Sequence, residues 1–443
     1  MRFTSLGGVR EIGASCHLLE IGGKKILLDA GVRPRKSVDG FKSNLPDFER
    51  ITQLDAICIS HAHLDHVAAL PLVMHRFRHV PCFMTVPTFP IMTRVLFDVT
   101  RWNFVSQEDE EAYADFYSME SIERMADRIL TVKFDQTFEP FRRDPLKITF
   151  KRAGHILGAA GIMIESEKES AFYTGDFCSI SQRTLQYADF SRITPDLLIT
   201  ETTYGDRDHM NRQQAEKEAI DKISTVLNYG GSVLFPTFAL GRAQEIILAV
   251  QQAQAENKLP PVPIFIDGLA REICDLYEEM VQPDLFYGKN RVAPTVRVED
   301  RETRSYLPGS SCIIVSSSGH LVGGPSVQYA KRILPDSQSA LALTAYADEG
   351  TVAGQLGKLK TGGSVMLDDQ QTNVAADIIP MYLSAHADKT QLLELLLDTN
   401  PKHVVGVHGD VAAGEALEAG ARTEGWKGTF ALPGIGETVY INE

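Results

Sequence analysis

The spacing of apolar positions along the chain divides it into three stretches. At 16–31, CHLLEIGGKKILLDAG sets two apolar runs around Gly-Gly, which predicts a β-hairpin. LDAICIS at 54–60 predicts a further strand, and VAALPLVMHRF at 67–77 carries helical spacing. Residues 91–130 turn charged and aromatic and read as helices packed over one side of this first domain. LKITFKRAG at 146–154 alternates as a half-buried strand does, and ESAFYTGD and DLLITE predict two more. After about residue 207 the pattern becomes strand, loop, helix. GGSVLFPTFAL leads into GRAQEIILAVQQAQAEN, VPIFIDG into LAREICDLYEEM, and SCIIVSS through a Gly-rich loop into PSVQYAKRIL. SALALTAY and GSVML complete that set, which predicts a mostly parallel α/β domain. From about residue 384, TQLLELLLDTN reads as a helix and HVVGV as a strand. The chemistry of this last stretch belongs with the first domain. The α/β unit at 208–383 is therefore an insertion between 1–207 and 384–443.

Composition changes this picture little. With 443 residues, 44% hydrophobic and 23% charged, the chain has the balance of a globular protein of two or three domains. A net charge of −14 excludes a uniformly basic surface and leaves room for a basic cleft or for bound metal ions. The six cysteines contain no CxxC pair, so buried thiols in a reducing compartment are expected. Neither a signal-peptide core nor a run of about 18 apolar residues appears, so the expectation is no membrane span and a cytoplasmic location.

The chemistry is concentrated in Ser60-His61-Ala62-His63-Leu64-Asp65-His66, between a strand and a helix. Imidazole and carboxylate suit zinc and related ions. His61 and His63, two apart on extended backbone, point the same way, while Asp65 and His66 fall where a helix begins and turn toward a second ion. Two ions roughly 3.5–4 Å apart can generate hydroxide and clamp a phosphate. Further ligand-type residues each follow an apolar strand: His155, Asp176, Glu201 and His408. Singly each reads as a turn or capping residue; their repeated placement favours a site.

HAHLDH, with Asp29 in LLDAG, His155 in AGHILGA and Asp176 in TGD, resembles the metallo-β-lactamase superfamily. ETTYG at Glu201, SAHAD at His386 and VHGD at His408 resemble the additional motifs of its β-CASP nuclease branch, and FALGRAQE, FIDGLAR and SSSGHLVGGP resemble blocks of the inserted domain. The resemblance covers nearly the whole chain. It implies an α/β fold, a metallo-β-lactamase αββα sandwich with an inserted α/β β-CASP domain. It also implies two zinc ions, with manganese as the alternative. His61, His63 and His155 would hold one ion, Asp65, His66 and His408 the other, and Asp176 would bridge them. Asp29 would orient a ligand. An activated hydroxide would attack phosphorus, and His386, hydrogen-bonded to Glu201, would protonate the leaving oxygen, giving 5′-phosphate and 3′-hydroxyl ends.

Within the family, a histidine at the position of His408 goes with RNA rather than DNA. The SAHAD form resembles nucleases of mRNA 3′-end processing and their bacterial and archaeal relatives, whereas the 5′-exonucleolytic branch reads SGHGS. The expected substrate is single-stranded RNA and the expected mode endonucleolytic, with 5′-to-3′ exonuclease or small-molecule metallohydrolase as alternatives. A non-catalytic RNA-binding subunit is a third reading, weakened by the complete ligand set. No appended KH module is expected, so substrate choice falls to the cleft or to a protein partner; a homodimer is the commonest assembly by base rate. Where relatives carry SPGM this chain has Ser318-Gly319-His320, a loop whose N–H groups could cradle phosphate. His320 reads as a surface residue or as a contact near the cleft. Arg242, after Thr237, reads either as a phosphate contact or as part of the insert's own fold. Arg142, Arg143, Lys151 and Arg152 form a basic stretch that lines an RNA path or is merely solvated. His17, His75, His79, His209 and His403 read as ordinary.

Overall fold

The structure, a computed structural model, describes residues 1–33, 40–99, 111–142, 145–280, 295–344, 350–359 and 362–441. Residues 100–110, inside the stretch read as helical, lie outside these, as do Arg143 and the end of SALALTAY. The chain separates into two compact units. One comprises 1–181, 187–208 and 386–443, the other 182–186 and 209–385.

The first unit holds two mixed sheets. One runs Thr438–Tyr440, Arg2–Gly7, Cys16–Ile21, Lys24–Leu28, Ala56–Cys58, Cys82–Thr85, Ile129–Val132. The other runs Thr429–Ala431, His403–Val407, Leu197–Glu201, Ser170–Tyr173, Ala160–Glu165, Lys147–Arg152. The hairpin turns at Gly22-Gly23, both at positive φ, as its sequence requires. Alternating apolar residues from both sheets, among them Leu19, Ile26, Ile148, Ile162, Ile199 and Val405, form one buried core. Each fully buried aliphatic side chain there contributes roughly 1.5–3 kcal/mol. Ser170–Tyr173, Leu197–Glu201 and His403–Val407 are parallel neighbours, with Ile199 beside Tyr173 and Glu201 beside Val407. Their carboxyl ends therefore deliver Asp176, Glu201 and His408 to one edge of the sheet. Ile129–Val132, at the end of the stretch read as helical, is instead an edge strand parallel to Cys82–Thr85. The helix before it is Met119–Ala126, capped by Ser118 accepting from Ser121 N–H.

The second unit is built on a six-stranded sheet, all of it parallel: Val296–Arg297, Ile264–Asp267, Ile313–Ser316, Val233–Pro236, Ala340–Leu343, Asp377–Pro380. Helices Arg242–Ala255, Leu269–Glu279 and Pro325–Ile333 follow three of these strands. GSVML does not join this sheet. Ser364–Leu367 folds back on Gln370–Asn373 through Asp368-Asp369, Asp368 at φ 50, and the sixth parallel strand is Asp377–Pro380. Residues 182–186, numbered within the range read as the first domain, pack with this unit. Arg183 and Thr184 donate their N–H groups to buried Glu245, and the Arg183 guanidinium bonds both carboxylate oxygens of Glu216. Among the described residues no helix is long and apolar enough to cross a membrane.

Candidate metal centre

Ala56–Cys58 ends two residues before Ser60, and His63 caps the short helix Leu64–Val67 in extended conformation. This turn places His61 and His63 on one side and Asp65 and His66 on the next. The segment Asp29-Ala30-Gly31, which follows the strand Lys24–Leu28, lies directly against it. Ala30 N–H donates to His66 O, and a Cβ on Gly31 would stand 1.7 Å from the Asp65 carbonyl oxygen. Only glycine fits there. Asp29 and His408 hold positive φ of 60 and 47, uncommon for residues with side chains and a mark of constrained positions.

Seven ligand-type side chains converge. His61 Nε2 and His155 Nε2 each lie 3.1 Å from His63 Nδ1. Asp176 Oδ2 lies 3.6 Å from His61 Nε2, 3.7 Å from His155 Nε2 and 3.4 Å from His66 Nε2. Asp65 Oδ2 is 3.2 Å from His408 Nε2 and 3.9 Å from His66 Nε2. His61, His63, His155 and Asp176 thus form one potential ligand group, and Asp65, His66 and His408 another. Ligands about 2.0–2.2 Å from a tetrahedral zinc stand roughly 3.3–3.6 Å from one another, close to these separations. Asp176 Oδ1 is buried without a hydrogen-bond partner among the described residues. A buried carboxylate oxygen left over at the junction of two donor groups suits a cation shared between them. The donor set fits a pair of divalent metals.

The surroundings fix which ring nitrogen each histidine offers. Asp29, fully buried, accepts from Ser60 N–H on Oδ1, and from Ser60 O–H, Tyr173 O–H and His66 Nδ1 on Oδ2, each at 2.7 Å. His66 Nδ1 must carry the proton, which leaves Nε2 as the donor atom facing Asp176. Ser60 Oγ, its proton given to Asp29, accepts from His61 Nδ1 at 3.0 Å and leaves Nε2 free to ligate. Thr203 works similarly. It gives its proton to Glu201 Oε2 at 2.6 Å and receives one from His408 Nδ1 at 3.1 Å. Ser60, Tyr173 and Thr203 were not singled out by sequence. Ser60 opens the ligand segment and Thr203 lies within ETTYG, which was the available signal; nothing local marks Tyr173.

Glu201 is buried and accepts from Phe177 N–H, Thr203 and His386 Nδ1, the last at 2.8 Å. The His386 ring lies 4.6 Å from that of His155 and stacks at 5.7 Å on that of His408. Burial opposes charge on His386, but the Glu201 carboxylate outweighs it, with Asp176 and Asp65 adding, and its pKa is pushed up to about 9. Burial holds His61 well below the usual imidazole range and His63 down to about 4, so both present neutral, ligating rings. Asp176 resists its own burial through His408 and His66 and stays ionised.

The remaining candidates fall in both units. In the second unit, Arg242 is buried at the start of its helix, beside Glu245. Ser318 closes its own loop, its Oγ donating to the Val322 and Gly323 carbonyls and accepting from Val322 N–H. Gly319 lies against Phe238, and the His320 ring meets the Phe238 ring edge-on at 5.0 Å. In the first unit, Lys151 pairs with Asp135, and Arg152 lies over Phe134. His17 is fully buried between Phe3 and Tyr173, both ring nitrogens without a hydrogen-bond partner among the described residues, and burial lowers its pKa to about 3.

Residues 18–202 match the metallo-beta-lactamase superfamily domain, 243–356 the Beta-Casp domain, and 372–430 the Zn-dependent metallo-hydrolase RNA specificity domain. Endoribonuclease ysh1 of Schizosaccharomyces pombe is 33% identical over 422 residues, covering 93% of this chain and 54% of that protein. Transcription termination factor FttA of Methanothermobacter thermautotrophicus is 30% identical over 437 residues, 92% of this chain and 67% of its own. Integrator complex subunit 11 of Danio rerio is 30% identical over 468 residues, 100% of this chain and 74% of its own. The chain spans about half the length of the fungal endoribonucleases it matches. A crystal structure of a protein of unknown function from Enterococcus faecalis V583 shares the fold, with TM-score 0.57 over 99% of both chains at 13% identity. Ligand geometry, the inserted parallel sheet and these matches agree: the chain belongs to the β-CASP family of the metallo-β-lactamase superfamily.

Proposed function

We propose that the protein is a metal-dependent endoribonuclease that hydrolyses phosphodiester bonds in single-stranded RNA, leaving 5′-phosphate and 3′-hydroxyl ends. The carrying observation is the His386–Glu201 pair set beside the seven-ligand cluster. A metallohydrolase of small molecules needs the cluster; a proton donor poised beside it suits a leaving alkoxide. The naming of relatives as endoribonucleases and the match to an RNA specificity domain support RNA as substrate.

His61, His63 and His155 would hold one metal, Asp65, His66 and His408 the second, with Asp176 shared. Bound there, the pair supplies Lewis acidity and a nucleophile at neutral pH. Asp29, Ser60 and Thr203 hold the Nδ1 atoms of His66, His61 and His408, so that Nε2 of each ring is the atom turned to the cluster. His386 carries its proton at neutral pH, and Glu201 Oε2 holds Nδ1 so that Nε2 is the atom left to give a proton to the departing oxygen. Zinc is the proposed metal because the donors are mostly imidazole. Six buried cysteines, none in a disulfide, support a reducing compartment, the cytoplasm. A homodimer and a partner that selects the RNA complete the proposal.

The test is single-stranded RNA labelled at one end, then the other, with chelator, His386→Ala protein and matching DNA in parallel. Internal fragments seen from both labels, lost with chelator and slowed in the variant, are the expected result. Mononucleotides from one end only would make it an exonuclease. Thioester turnover without any RNA cleavage would overturn the reading.

A further inference from the structure

We propose that Arg207, held over the face of Tyr204, is a phosphate-binding residue on the leaving-group side of the centre, where it grips the first phosphate upstream of the bond being cut. The inference rests on the nuclease reading and adds a subsite to it. Tyr204 follows Glu201 by three residues, and its ring lies 6.2 Å from that of His386. The Arg207 guanidinium stands 5.1 Å from the centre of the same ring. Metal ligands His155 and His408, then His386, then Tyr204, then Arg207 thus form a continuous array from the cluster outward.

The chemistry gives that array a direction. Cleavage that leaves a 3′-hydroxyl expels O3′ of the upstream nucleotide, so the strand passing His386 is the upstream one. Its next charged group is the phosphate one nucleotide further on. Arg207, two ring contacts beyond His386 in the same array, is placed to meet it. A guanidinium is the side chain best suited to a phosphate, and cation–π packing on Tyr204 orients it before RNA arrives.

The loop is also anchored to the helix start that follows His386 by three residues. Lys389 N–H donates to Arg207 O at 3.1 Å and Thr390 N–H to Asp208 Oδ1 at 2.9 Å, at the start of helix Lys389–Thr399. One backbone bond and one bond to the Asp208 carboxylate thus tie the Arg207 loop to the chain just after the proton donor. The competing account is a surface ion pair, since Arg207 Nη1 bonds Asp206 Oδ2 at 3.1 Å. That pair joins adjacent residues, 45% and 37% exposed, and such pairs contribute little to stability. In a chain of net charge −14, a cation packed on the ring that neighbours His386 offers RNA a local positive charge.

Binding of a labelled single-stranded RNA is read across a salt series in His386→Ala protein, at times short against its slowed cleavage, with Arg207→Gln or Arg207→Lys added. One phosphate contact on a single strand contributes about 0.7 to the slope of log affinity against log salt. Arg207→Gln should lower the slope by about that amount and Arg207→Lys should restore most of it. With His386 intact, Arg207→Gln should raise KM several-fold and change kcat less. RNAs of one cleavage site, each with a single methylphosphonate, locate the contact. The Gln penalty should vanish only when the first upstream phosphate is neutral. An unchanged slope and KM, in protein that still cleaves RNA, would overturn the subsite and leave the nuclease reading standing. Loss of the penalty at a downstream phosphate would overturn the assigned side. Wild-type protein that neither binds nor cuts RNA would remove both.

Discussion

Replacing Asp29 with asparagine tests the idea that a buried carboxylate, itself no ligand, sets the metal affinity of this centre. Asparagine is one of the few residues that tolerates the positive φ of 60 found here, so the backbone survives and the change is confined to the side chain. The carboxylate receives four donors, one on Oδ1 and three on Oδ2. An amide has a single acceptor oxygen. Turned toward Ser60 O–H, Tyr173 O–H and His66, it confronts Ser60 N–H with its own NH2; turned the other way, it opposes three donors. At least one buried donor is left unmet, at a cost of about 1–3 kcal/mol. The charge is lost as well, so the bond holding the His66 Nδ1 proton falls to about half its strength and Nε2 becomes a poorer donor to metal. Removing such a support typically weakens metal binding by about 10–100-fold, or roughly 1.4–2.8 kcal/mol. Tyr173→Phe removes one neutral donor and spares the charge, so it should cost about 1 kcal/mol of stability with metal affinity nearly intact. Competition against a chromophoric chelator gives the two affinities, and thermal unfolding of metal-free protein gives the stabilities. An Asn variant that holds both ions as tightly as wild type would refute the account of Asp29 as the residue that sets the His66 tautomer.

Three further outcomes follow from particular contacts. Gly31→Ala drives a methyl into the Asp65 backbone, 1.7 Å from O and 1.9 Å from C; no side-chain rotation relieves it, so a loss of about 3 kcal/mol or more is expected in denaturant unfolding. Glu245→Ala leaves Arg212 and the Arg183 and Thr184 N–H groups without their buried carboxylate and should destabilise the inserted domain by about 3–5 kcal/mol. Burial works against the charge on Glu245, yet Arg212 and its neighbours hold its pKa below the usual 4.5. Its contribution is therefore complete above pH 4.5 and is lost as pH falls through the lowered folded value; acid titration of Glu245→Gln should show a flatter loss than wild type over that window. His386→Ala should lower kcat by about 10²–10⁴ while metal content, read by elemental analysis, stays at the wild-type level, because His386 donates a proton and holds no ion in the proposed arrangement.

These predictions separate what the chain states locally from what only its fold assembles. HAHLDH was legible because its ligands lie within six positions on a strand-to-helix turn, where backbone period alone decides which way each side chain points. His155, Asp176, Glu201 and His408 were legible for a related reason: each follows an apolar run, and parallel pairing of three of those strands brings the ends that precede Asp176, Glu201 and His408 together. The hydrogen bonds that set proton positions follow no such rule. Tyr173 reaches Asp29 across 144 positions because the two sheets face each other, and nothing near either residue announces the partnership. The misread elements fail through competition of the same kind. Ile129–Val132 ends a charged stretch with helical character and becomes a strand because Cys82–Thr85 presents an edge to it. GSVML has the apolar content of a central strand, but the Asp368-Asp369 turn offers it Gln370–Asn373 first. A local pairing closes at lower entropic cost than a long-range one, so the place in the parallel sheet falls to Asp377–Pro380. Chemistry written within a few residues, or repeated at strand ends, can thus be read from the chain. Chemistry that depends on which strands win their partners requires the fold, and at this centre that includes the protonation state of every ligand whose outer nitrogen is held by a residue distant in sequence.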